Sequence, residues 1–149
     1  MAPVGDAGER PGPDPVRAWL VDGTNVVGSR PDGWWRDRPG AFARLVARLG
    51  VLAARGDDVT VVFDGRPSPA LAEGAHGGVN VRWARRLGPD AADDVIVELV
   101  AADREPPQPR VVTSDRGLSQ RVRALGAEVV GAGSLLGLLD ELEWRGSAP

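Results

Sequence analysis

The 149-residue chain has no cysteine, no lysine and a single histidine, His76. Without cysteine there can be no disulfide, no thiolate zinc site and no cysteine nucleophile. One histidine cannot build a histidine-rich metal centre, and His76 sits in a glycine-rich stretch with no acid or hydroxyl motif to form a catalytic triad. Any bound metal must therefore be held by oxygen. No apolar run approaches the roughly 20 residues that cross a bilayer. The start, Met1-Ala2-Pro3-Val4-Gly5-Asp6, lacks the basic-then-apolar layout of a secretory signal, so a cytoplasmic location is the expectation. All 18 basic residues are arginine, which a GC-rich coding sequence would produce. A net charge of −3 and a pI near 5.2 argue against gripping nucleic acid by bulk electrostatics. A cation bound among clustered carboxylates would cancel part of that negative charge, and arginine is the better phosphate fork.

With 42% hydrophobic and 26% charged residues, the chain fits one globular domain with a sizeable core. Residues 1–15 are rich in proline, glycine and charge without periodicity and read as a disordered lead-in. A single domain is expected over 16–144, with a flexible tail at 145–149. Ala18-Trp19-Leu20-Val21 is a short apolar run stopped by Asp22-Gly23, as in a buried strand. Residues 28–39 read as a loop. Phe42, Leu45, Val46, Leu49 and Leu52 keep helical spacing up to Gly56. Strands follow at 59–63 and 79–83, separated by a loose glycine-rich loop at 74–78. A helix opening at Pro89-Asp90 carries Ala92, Val95, Ile96 and Leu99 on its buried arc, and Pro106-Pro107 closes the connection after it. Arg110-Val111-Val112-Thr113 is a strand, Leu118, Val122 and Leu125 mark a helix, Glu128-Val129-Val130 is the last strand, and a final helix spans about Ser134 to Leu142. Such alternation predicts an α/β fold with a mainly parallel sheet and helices on both faces. Gly131-Ala132-Gly133 lacks the spacing of a dinucleotide-binding turn, and a helix cap by Ser134 accounts for it better.

Four aspartates stand where a strand ends or a helix begins: Asp22, Asp64, Asp93 and Asp115. The carboxyl ends of parallel strands share one edge, so these acids can converge there. Clustered carboxylates stay ionised together only if a cation neutralises them. A hard-metal site for Mg²⁺ or Mn²⁺ follows as the leading hypothesis, with two ions able to orient a water and a leaving oxygen. Helix geometry prefers Asp93 to Asp94, because Asp93 lies at the edge of the buried arc whereas Asp94 and Glu98 share the far side. Each acid also has a simpler reading. Asp90, Asp93 and Asp115 can cap helices, and Asp22 and Asp64 can begin Asp-Gly turns.

On the substrate side, Thr24, Asn25, Thr113 and Ser114 can hold water or a phosphate oxygen, or equally make strand-end and cap hydrogen bonds. The stretch from Ser29 to Arg38 sets Trp34 and Trp35 among Arg30, Arg36 and Arg38. Stacking rings beside arginines suit unpaired bases and phosphates, although a loop tryptophan can equally pin its loop onto a helix. Arg82, Arg85 and Arg86 form a second basic patch, most simply a solvated face.

Val21-Asp22-Gly23-Thr24-Asn25-Val26-Val27-Gly28 resembles the opening motif of the NYN domain, of the PIN-like nucleases, and is most similar to its YacP-like branch. The likeness continues in order through Val62-Phe63-Asp64-Gly65, Ala92-Asp93-Asp94-Val95-Ile96 and Val112-Thr113-Ser114-Asp115, covering Arg17 to about Leu136. It implies a PIN-like (Rossmann-like) three-layer sandwich and divalent-metal-dependent cleavage of RNA. Asp22, Asp93 and Asp115 match the family's metal-binding acids, with Asp64 as a fourth, and Asn25 matches the polar residue beside the first acid. Where many NYN proteins carry a further acid two residues after the last one, this chain has Gly117. The expectation is an endoribonuclease that cuts single-stranded RNA with metal-activated water. Its catalytic and metal-binding residues would be Asp22, Asp64, Asp93 and Asp115, and its substrate contacts Thr24, Asn25, Ser114, Arg30, Trp34, Trp35 and Arg36. The alternatives are a small nucleotide or phosphoester hydrolase on the same acids, and a silent RNA-binding or interaction domain.

Overall fold

Short β-branched runs make the centre of the protein, whose structure, a computed structural model, describes residues 17–84, 90–103 and 108–147. The expected lead-in, Arg85 and Arg86 of the second basic patch, Pro89 and Pro106-Pro107 lie outside the described residues. β1 (Ala18–Asp22) pairs in parallel with β2 (Asp58–Asp64) and with β5 (Arg110–Val112), Asp22 facing Val62 and Val21 facing Val112. β4 (Val79–Ala84) lies parallel to the outer side of β2, and β6 (Glu128–Val130) parallel to β5. With β3 (Gly74–His76) antiparallel on β4, the sheet order is β3-β4-β2-β1-β5-β6. The expected α/β architecture is thus observed, mainly parallel and with helices on both faces.

Alternation along the strands separates two cores. Trp19, Val21, Val59, Val61, Phe63, Val79 and Val81 face one layer, α1 (Gly23–Gly28), α2 (Arg38–Ala54) and α5 (Ala132–Ser147), through Val26, Phe42, Leu45, Leu49, Leu135 and Leu139. Leu20, Val62, Ala84 and Val111 face the other layer, α3 (Ala91–Ala102) and α4 (Arg116–Ala124), through Ala92, Ile96, Val100, Leu118 and Val122. Leu49 is fully buried, and truncating such a side chain to alanine costs about 2–5 kcal/mol. Parallel pairing brings the carboxyl ends of β1, β2 and β5 to one edge, where Asp22, Asp64 and the Thr113-Ser114-Asp115 turn emerge.

Several expectations need correction. The loop of residues 28–39 is shortened at both ends by α1 and α2 and contains a 3₁₀ turn, Trp34–Arg36. Elements this short leave no apolar period to read. The stretch 74–78 is not a loose loop: Gly77 and Gly78, with φ of 58° and 84°, form the two-residue turn of a β3–β4 hairpin, a geometry that favours glycine at both positions. On α3 the buried arc is Ala92, Ile96 and Val100, while Val95 and Leu99 are only partly buried. α5 begins at Ala132 and runs to Ser147, so residues 145–147, expected as tail, are helical. Ser134 lies inside that helix and does not cap it. The Ala132 N–H donates instead to Ser114 Oγ at 3.0 Å.

Candidate active site

Asp22 closes β1 and opens α1, only 4% exposed. The residue after it must be small: a β-carbon at Gly23 would meet Phe63 Cδ1 at 2.6 Å and Val61 Cγ2 at 2.7 Å. That close approach seats α1 directly on β2 and fixes Asp22 at the strand end. Its carboxylate accepts the Thr113 hydroxyl at 2.9 Å, and the same hydroxyl oxygen accepts the Asp115 N–H at 3.0 Å. Thr113 therefore ties the ends of β1 and β5 together. Burial raises the Asp22 pKa from 3.8 to about 6; the Thr113 bond and the Asn25 amide oppose this, and the charges of Asp64 and Asp115 add to it.

Asp64 ends β2. Its Oδ1 accepts the Ala92 N–H at 3.1 Å, so it holds the first turn of α3 from across the edge. Its backbone N–H donates to Thr24 Oγ1 at 3.0 Å. Burial raises its pKa, against the Ala92 N–H, the Arg38 charge and the Thr24 hydroxyl. Asp93 lies in the first turn of α3. Its pKa is pushed up to about 7, first by burial and then by the charges of Asp22, Asp115, Asp90 and Asp64. Asp115 is the N-cap of α4, its Oδ1 accepting the Leu118 N–H at 2.9 Å. Asp94 is not bare solvent-facing charge: its Oδ1 accepts from Arg121 Nη2 at 3.0 Å.

The charges of Asp64 and Asp115 thus act on Asp22, and those of Asp22, Asp64 and Asp115 on Asp93, at one edge of the sheet. Asp90 joins them as a fifth charge; the one-turn spacing to Asp93 was its signal, although capping alone explained it. Among the described residues, no three His, Cys, Asp or Glu side chains already enclose a metal-sized space. The donor set nevertheless fits a hard divalent cation: every donor is oxygen, and a cation would offset both the burial and the neighbouring charge that raise Asp22 and Asp93. Asp22, Asp93 and Asp115, bordered by Asp64, would hold it.

The expected substrate contacts divide. Asn25 Oδ1 accepts the Ser114 N–H at 2.9 Å, and Thr24 and Ser114 accept backbone N–H groups as described above. These three side chains brace the edge with the strand-end hydrogen bonds that the sequence also allowed. Arg30 donates to Asp140 of α5 at 3.1 Å. Trp34 is half-buried and walls a groove of about 150 Å³ between α1, α2 and α5, floored by Val26, Leu45 and Leu136. Trp35 is 53% exposed, stands edge-on to Trp34 and has the Arg36 guanidinium over its ring at 5.9 Å. A larger cavity of about 490 Å³ opens at the amino ends of β1 and β2, with none of the four aspartates in its lining. The perturbed titratable groups lie instead at the carboxyl edge. Arg38 was not among the expected site residues, yet its charge acts on Asp64. An arginine one turn before Phe42 was the available signal.

The family model of the YacP-like NYN domain matches residues 19–147. Two solved structures of Rae1 (YacP) from Bacillus subtilis are similar to this chain. A tryptophan-to-leucine mutant has a TM-score of 0.72 and 26% identity, covering 87% of this chain and 79% of that one. A second structure of the same protein has a TM-score of 0.69 and 26% identity, covering 87% and 76%. No curated protein matches the chain.

Proposed function

Because the chain belongs to the YacP-like NYN domain family, a nuclease-like fold, we propose that it is a divalent-metal-dependent endoribonuclease that hydrolyses single-stranded RNA at the carboxyl edge of its sheet. The observation that carries this reading is the electrostatic coupling of Asp22, Asp64, Asp93 and Asp115, with Asp22 raised to about 6 and Asp93 to about 7. Nucleases of the NYN and PIN-like kind are generally divalent-metal-dependent. Mg²⁺ or Mn²⁺ at these acids would supply Lewis-acid chemistry, polarising the phosphate and lowering the pKa of water.

The chain's own groups have distinct tasks. Asp22, Asp93 and Asp115 bring the negative charge that neutralises the cation. Thr113, bonded to both Asp22 and Asp115, keeps those two acids in register. Asp64 fixes the first turn of α3, and with it the direction of Asp93. Trp35, exposed beside Arg36, offers a face for an unpaired base, which suits a single strand.

Purified protein incubated with single-stranded RNA, single-stranded DNA and free nucleotides, with Mn²⁺ or with chelator, tests this. Internal cuts in RNA that need Mn²⁺ and vanish in Asp93→Asn are expected. Turnover of nucleotides alone would transfer the site to small phosphoesters. RNA binding without turnover in Mn²⁺ would leave a silent binding domain.

A further inference from the structure

A phosphodiester approaching this acidic edge needs positive charge to meet it, from a bound metal and from the protein's own cations. Arg38 stands at the start of α2, exposed, and its charge acts on Asp64 at the end of β2. Its position has a structural origin. Asp37 caps α2 by accepting the Gly40 N–H, which makes Arg38 the first residue of the helix. From there its guanidinium lies over two rings, 5.3 Å from Phe42 and 5.5 Å from Trp34. Phe42 stacks on Phe63 with ring centres 4.4 Å apart and planes 6° from parallel. Phe63 in turn immediately precedes Asp64 and packs under Gly23. Arg38 over Phe42, with Phe42 stacked on Phe63, thus links the start of α2 to the strand that ends in Asp64.

A guanidinium held over aromatic rings is attracted by their faces and keeps its N–H edge as a donor for a further partner. That edge is a planar fork matched to two oxygens of a phosphate. We propose that Arg38 grips the RNA phosphodiester at the rim of the acidic edge, through two nonbridging oxygens, and presents it to Asp22 and Asp64. This rests on the proposed ribonuclease reading and adds to it a residue that offsets repulsion of the substrate. Trp34 and Phe42 act as its platform, holding the side chain extended before substrate arrives.

The test uses Arg38→Gln, which keeps the stem over Phe42, together with Arg38→Lys, which keeps the charge but not the fork. On a single-stranded RNA oligonucleotide with Mn²⁺, KM should rise roughly tenfold to a hundredfold in Arg38→Gln, the loss expected for a charge-assisted contact. The kcat should change less, and Arg38→Lys should recover part of the KM. Binding of the same RNA in chelator should lose about 0.7 from its log–log salt slope, the share of one phosphate contact. A lower Tm with unchanged KM and salt slope would overturn the proposal and leave Arg38 a cover for Phe42. If the unsubstituted protein binds RNA without cutting it, the ribonuclease reading fails while the salt slope still decides Arg38. If it neither binds nor cuts RNA, both fail.

Discussion

Replacing Asp22 with asparagine removes a charge from the most buried member of the acidic edge while keeping an oxygen that can accept the Thr113 hydroxyl. Burial, with the charges of Asp64 and Asp115, raises this carboxyl from 3.8 to about 6. A folded pKa above the unfolded value means that the contribution to stability is fully present below pH 3.8 and is lost as pH rises through about 6. The direction follows from proton linkage, since the folded state binds the proton more tightly. At ~1.4 kcal/mol per tenfold, ionised Asp22 costs the metal-free protein about 3 kcal/mol at pH 8. Neighbouring acids relax when one is neutralised, so asparagine should recover roughly 1–3 kcal/mol of this. In a domain of this size that corresponds to a Tm higher by roughly 2–10 °C.

Scanning calorimetry in chelated buffer at pH 8 and pH 5 reads the effect directly. The variant should be the more stable at pH 8, and its advantage should shrink at pH 5, where Asp22 of the native chain already holds its proton. Adding Mn²⁺ should reverse the order, because a cation at a hundredfold excess over its Kd adds about 2.7 kcal/mol to the protein that binds it. Asp22→Asn should bind it poorly and cut no RNA. A lower Tm for the variant at both pH values, with Mn²⁺ stabilisation retained, would refute the reasoning and make Asp22 a clasp for Thr113 alone.

Gly23→Ala should destabilise by about 1–3 kcal/mol, as overpacking does, because the new β-carbon meets Phe63 and Val61; urea melts would show it, and a neutral result would disprove the close seating of α1. Mn²⁺ affinity, measured by titration calorimetry, should fall as pH drops from 8 to 6, since protons compete at Asp93 near pH 7 and at Asp22 near pH 6; a flat profile would place the cation elsewhere. Trp35→Ala should weaken single-strand RNA binding by about 1–3 kcal/mol with little change in Tm, whereas Trp34→Ala, which removes a groove wall, should lower the Tm. Equal RNA affinity in Trp35→Ala would remove the base-stacking role.

The sequence carried the sheet and its acidic edge because both depend on local signals. Each of β1, β2 and β5 is a β-branched run with a visible stop, and parallel pairing then sends those stops to one side. Asp93 was legible from the angular position of a single residue on a helix. What stayed hidden depends on pairing at long range. Thr24 with Asp64, Asn25 with Ser114 and Ser114 with Ala132 are 40, 89 and 18 positions apart, and no period in the chain announces them. β3, only three residues long, has too little pattern to distinguish it from a turn. Arg38 was visible only as one of three arginines beside the tryptophans, because what sets it apart, the ring beneath it and its nearness to Asp64, exists only in the fold.

Capping and metal binding, set against each other when each aspartate is weighed alone, are compatible in the folded edge. The cap of α4 uses Oδ1 of Asp115, and the bond that steadies α3 uses Oδ1 of Asp64; a carboxylate has lone pairs on both oxygens, so neither bond exhausts its acceptor capacity. A helix N-terminus stabilises the ionised form of such a carboxylate and at the same time restricts its rotation. Asp93 shares the helix N-terminus, but burial and neighbouring charge outweigh it. It sits within the first turn, crowded by four other acids, and is raised to about 7. Asp64 and Asp115 are thus fixed by the backbone they cap, while Asp22 and Asp93 carry the electrostatic strain. It is this second pair that should respond most strongly to pH and to a divalent cation.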